Sequence, residues 1–142
     1  MDRERLSRIL GLDYGERRIG LAVSDPSRII AKPLTVIDRK KTADYISIIS
    51  TIISTHKVTS IVVGLPLTLK GKYSKQTEIV QQFIDRLKLD LKIPVFSIDE
   101  RLSSVAAEKS LQAQAIKTGH NKDLIDETAA AIILQEYLDS LA

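Results

Sequence analysis

The stretch that most constrains this chain is Ile9 to Asp25, ILGLDYGERRIGLAVSD. Ile9, Gly11 and the two leucines around Gly11 form an apolar run that stops on a carboxylate, Asp13. A polar turn with Gly15 follows, and a second apolar run, Ile19-Gly20-Leu21-Ala22-Val23, ends near Asp25. Two apolar runs across a short polar turn read as a β-hairpin. A carboxylate at the mouth of a buried strand is costly to keep charged unless water, a donor or a metal compensates it. Asp13 therefore either accepts turn hydrogen bonds ahead of Gly15 or does chemistry.

Lys32 to Asp38 reads as a third strand with Pro33 at its entrance, where a missing N–H does least harm. Tyr45, Ile48, Ile49, Ile52 and Ile53 fall at helical spacing within 43–56. Ser60 to Val63 is a short buried-strand run that ends in Gly64-Leu65-Pro66. A second amphipathic helix is expected from Glu78, carrying Ile79, Val80, Phe83, Ile84 and Leu87. Ile93 to Ile98 is the fifth strand, stopping on Asp99 and Glu100. Ser103 or Ser104 can cap a third helix to about Ala115. After the loop KTGHNK a last helix runs from about Leu124 to Leu141, with Ala129, Ala130, Ile133, Tyr137 and Leu141 on one face.

The order β-β-β-α-β-α-β-α-α predicts an α/β domain spanning 1–142. Its mixed five-stranded sheet is part antiparallel meander and part parallel, with helices on its faces. Strand C-termini in a parallel portion share one edge, where sites collect. Asp13 and the pair Asp99-Glu100 belong to that edge if the first strand is central, as its unbroken apolar run suggests. Asp126 shares the apolar face of the last helix, in its first turn, whereas Glu127 is turned about 100° away. Helix-dipole stabilisation would suit both acids equally. It does not explain why Asp126 shares the apolar face.

Gathered carboxylates repel one another, and either take up protons or bind a cation. Oxygen-only ligation points to Mg²⁺ or Mn²⁺. With no cysteine, the chain has no disulfide, thiolate zinc site or thiol nucleophile. A net charge of +3 permits a nucleic-acid partner without requiring one. Aromatic residues at 4% argue against a stacking platform for single strands. The charged start and the lack of a long apolar stretch imply a cytosolic protein without membrane contact.

Four segments together resemble the YqgF family of Holliday-junction-resolvase-like proteins, which have the ribonuclease H-like fold. They are Leu12 through Asp25, Val62 through Leu67, Asp99 through Ser104, and Asn121 through Asp126 with Ala129 through Leu134. The resemblance implies a metal-dependent nuclease with Asp13, Glu100 and Asp126 as its acidic triad. It further implies maturation of the 5′ end of pre-16S ribosomal RNA, or resolution of four-way DNA junctions. Ribonuclease H-like resolvases commonly place an acid at the end of the fourth strand, which here ends Val62-Val63-Gly64-Leu65. The second acid then comes from Asp99 or Glu100. Glu100 is preferred, with Asp99 positioning the loop or pairing with Arg101.

Arg17, Arg18, Lys70, Lys72 and Arg101 are candidate nucleic-acid contacts for structured RNA or branched DNA; Lys75 lies in the same loop as the lysines. Tyr14 either stacks on a base or packs against the hairpin. The actin-like ATPases share the fold and a similar phosphate-binding hairpin, but clasp nucleotide between two such domains. A ribosome-associated RNA-binding factor with a silent site is the non-enzymatic alternative. The chain is expected to be a monomer or a homodimer.

Overall fold

The computed structural model describes residues 7–67, 72–99 and 122–141. Its strands are β1 (Arg8–Tyr14), β2 (Arg18–Ser24), β3 (Ala31–Asp38), β4 (Val58–Leu65) and β5 (Val95–Asp99). They form one five-stranded sheet in the order β3-β2-β1-β4-β5. β1 is central because both of its faces are covered, which is what an unbroken apolar run requires. It pairs antiparallel with β2 and parallel with β4. β2–β3 is antiparallel and β4–β5 parallel, so the meander and the parallel half meet at β1.

Three described helices cover the sheet: α1 (Tyr45–His56), α2 (Lys75–Asp90) and α3 (Lys122–Ser140). On one face Leu10, Leu12, Tyr14, Ile19 and Leu21 pack with Ile49, Phe83, Ile84 and Leu87 of α1 and α2. On the other, Ile9, Ala22 and Val62 pack with Ala130, Leu134 and Leu138 of α3. Tyr14 belongs to the first core, its ring stacked on Phe83 with centroids 4.0 Å apart.

Capping sets the helix starts. The Asp44 carboxylate accepts the Ser47 amide at 3.1 Å, and α1 ends on Lys57 in the left-handed region at φ 56°. α2 begins at Lys75, ahead of the Glu78 expected from its apolar spacing, because Ser74 and Thr77 form a capping box. The buried Thr77 hydroxyl also donates to the carbonyl of Pro66, tying the helix start to the end of β4.

α3 departs from expectation in its face. Its buried residues are Ala129, Ala130, Ile133, Leu134 and Leu138, while Tyr137 is half-buried and Leu141 is 55% exposed. The i, i+4 row Ala130-Leu134-Leu138 lies over β1, so the inward stripe is turned towards it. The helix expected at Ser103–Ala115 and most of the loop before α3 lie outside the described residues.

Candidate active site at the strand ends

β1 and α3 run in opposite directions, and their periods match. Two residues of strand advance about 6.7 Å and four residues of helix about 6 Å. Ile9 shares a core with Leu138, and a Cβ at Gly11 would lie 2.7 Å from Leu134 Cβ and 3.2 Å from the Ala130 carbonyl oxygen. One more step along each element, from Gly11 and Leu134, brings β1 to Asp13 and α3 to Ala130, one helical turn from Asp126.

Gly20 closes the gap between those two acids. It is the register partner of Asp13 across β1–β2. A Cβ there would lie 2.7 Å from the Asp126 carbonyl carbon and 3.3 Å from the Glu127 nitrogen. The first turns of α3 therefore lie on the backbone of β2, directly beside Asp13. What the glycine supplies is room for the helix. Asp13, Asp126 and Glu127 are all partly exposed, so the site opens to solvent.

Arg18 reaches the same place. β2 alternates Arg18, Gly20 and Ala22 onto the α3 face, and the Arg18 Nε lies 4.0 Å from the Asp126 Oδ2. Arg17, one residue earlier, instead pairs with Asp38, Nε to Oδ2 at 3.6 Å. Burial opposes ionisation of Asp38, but the amides of Lys40 and Lys41 and the Arg17 guanidinium outweigh it and hold the carboxyl below its ordinary value.

The turn between β1 and β2 is held from β3 by Arg39, which sequence reading missed. Its guanidinium donates to the carbonyls of Gly15 (2.9 Å) and Glu16 (2.7 Å) and lies 4.4 Å from the Tyr14 ring centre. Its backbone N–H donates to the Arg17 carbonyl at 2.8 Å. Burial raises the Tyr14 hydroxyl above its ordinary value, against the opposing Arg39 charge.

The other expected residues separate. Asp99 ends β5 opposite Leu65 and is exposed. It shares the side of Val95, in the α2 core, whereas Ile98 packs towards α3. Asp99 and Asp13 thus lie on opposite faces of the sheet. Lys72 is exposed ahead of α2. Glu100, Lys70 and Arg101 lie outside the described residues. Among the described residues no group of three His, Cys, Asp or Glu could hold a metal ion. No described helix is long and apolar enough to cross a membrane.

Asp25 is a structural acid. Its carboxylate accepts the amides of Ser27 (3.0 Å), Ile29 (2.7 Å) and Ile30 (2.8 Å). The Ile30 amide chiefly lowers its pKa, against partial desolvation and with help from Ile29 and Ser27.

The mixed sheet in the order β3-β2-β1-β4-β5, with α1 and α2 on one face and α3 on the other, is a ribonuclease H-like α/β fold. It superposes on T. thermophilus RuvC in complex with a Holliday junction substrate with a TM-score of 0.57, at 12% identity and over 95% of each chain. The fowlpox virus resolvase in complex with Holliday junction DNA gives a TM-score of 0.52, at 12% identity over 94% of this chain and 98% of that one. The RuvX family model, described as "Holliday junction resolvase", matches residues 7–140, and the chain belongs to that family. It is 48% identical over 133 residues, 94% of each chain, to a Roseiflexus sp. (strain RS-1) protein named "Putative pre-16S rRNA nuclease". A Dictyoglomus turgidum protein of the same name is 39% identical over 135 residues, 95% of this chain and 96% of that one.

Proposed function

We propose that this protein is a divalent-metal-dependent nuclease that trims the 5′ end of precursor 16S ribosomal RNA. Its acids are Asp13, Glu100 and Asp126. The observation that carries the reading is the seating of Asp126 on Gly20, beside Asp13, in a family with a relative at 48% identity named "Putative pre-16S rRNA nuclease".

The residues present fit a hard cation. Asp13 and Asp126 offer only oxygen donors, from a strand end and a helix start that the packing of Gly11 and Gly20 fixes in place. Mg²⁺ or Mn²⁺ held there would supply an activated water and neutralise charge on the phosphodiester, in the two-metal manner. Glu100 is favoured over Asp99 by strand alternation. Ile98 packs towards α3 while Asp99 belongs to the other side, away from Asp13. Arg18 stands beside the acids with a planar fork suited to phosphate oxygens. Arg17, Lys70, Lys72 and Arg101 would steer and hold the RNA backbone.

The test is incubation of the purified protein with a 5′-extended precursor of 16S ribosomal RNA, with Mn²⁺ and separately with a chelator. Metal-dependent shortening of the 5′ end is expected, and cutting that survives the chelator would refute the metal. A second reading, resolution of four-way DNA junctions, is favoured by the family's description. A synthetic four-way junction in the same assay separates the two. If neither substrate is cut while RNA is bound, a non-catalytic RNA-binding factor is the answer.

A further inference from the structure

We propose that Arg18 is the resident counter-ion of Asp126 in the metal-free protein and surrenders that carboxylate when metal binds, its guanidinium passing to a substrate phosphate. This rests on the reading of Asp126 as a metal ligand.

Strand alternation fixes which arginine can do this. Arg18 shares the α3 face of β2 with Gly20, whose backbone touches that of Asp126. Arg17 faces away and is occupied with Asp38. The Arg18–Asp126 pair is also of suitable strength. At 4.0 Å, with the side chains 22% and 33% exposed, it is long and solvent-screened. Such pairs contribute little, so a dication with two charges and direct oxygen coordination can displace the guanidinium. Once the cation is in place, the Arg18 guanidinium is repelled from it while the Arg18 backbone stays opposite Asp38 in the β2–β3 ladder. The guanidinium is then offered to the phosphate that the same cation draws in. One side chain thus opposes metal in the empty site and favours substrate in the loaded one.

Calorimetric titration of Mn²⁺ into the wild type and the R18Q, R17Q and D126N proteins tests this without any turnover. R18Q is expected to bind Mn²⁺ about fivefold more tightly than the wild type. R17Q is expected to match the wild type, and D126N to lose the site. Equal affinity of wild type and R18Q, or tightening by R17Q as large as that by R18Q, overturns the exchange and leaves the metal reading standing. Absence of Asp126-dependent binding in both wild type and R18Q overturns the metal reading itself, and the exchange with it.

Discussion

Asp126 and Gly20 touch through their backbones: a Cβ at Gly20 would lie 2.7 Å from the Asp126 carbonyl carbon. Main chain cannot step aside as the tip of a flexible side chain can. Gly20→Ala should therefore push the start of α3 off the sheet and destabilise the fold by about 1–3 kcal/mol, the usual cost of overpacking. Urea denaturation reads the stability. Because the same shift separates Asp126 from Asp13, cleavage should fall by more than the population of unfolded protein explains. A G20A protein as stable and as active as the wild type would contradict the packing described here.

Replacing single acids sorts ligands from neighbours. Asp13→Asn and Asp126→Asn should each lower metal-dependent cleavage by about 10²–10³-fold, the scale for removing a group that stabilises developing charge. Far-ultraviolet circular dichroism should not change. Glu100→Gln should fall with them, whereas Asp99→Asn, on the opposite face of the sheet, should keep most of the activity. The converse result for the last two would make Asp99 the ligand.

The Asp25 loop should have a pH signature. Amide hydrogen bonds hold its carboxyl below the ordinary value of 3.8. A carboxyl lowered by folding contributes stability above its unfolded value and loses that contribution as pH falls through the lower folded value. The stability gap between wild type and D25N should thus be constant from neutral pH to about pH 5 and shrink below about pH 4. Urea midpoints at a series of pH values measure it. A gap that does not change with pH would place the effect of D25N elsewhere.

Arg39→Ala removes two hydrogen bonds to the β1–β2 turn and the cation over Tyr14. A loss of about 1–3 kcal/mol is expected. Faster amide hydrogen exchange should be concentrated at residues 15–18 and spare α3. Exchange that quickens evenly across the sheet would show that Arg39 supports the whole fold and not the turn.

How much of this was legible in the sequence differs from residue to residue. The hairpin, the central place of β1 and the mixed sheet follow from Ile9–Leu12 and Ile19–Val23, because a strand covered on both faces has no polar alternate positions. Asp126 could be placed on the inner face of its helix by spacing alone. Arg39 could not be distinguished from Lys40 and Lys41 beside it, since its role depends on where the end of β3 meets the β1–β2 turn. Gly20 stands in the sequence only as a small member of the second apolar run. Its need is for space, and only the docked helix reveals that. The spacing Tyr137-Leu141 suggested a buried stripe, but α3 ends at Ser140 and Leu141, just past it, is exposed.

The matched steps of β1 and α3 also bear on how the protein is made. Synthesis delivers Asp13 with the first strand and Asp126 only with the last described helix. A nascent chain that has not yet extruded α3 holds one acid of the pair and an uncovered apolar face. Its Gly20 is then an open notch. Cutting power of the kind proposed here would therefore arise only once α3 has been made and has docked, so a ribosome making this protein would not be exposed to it earlier.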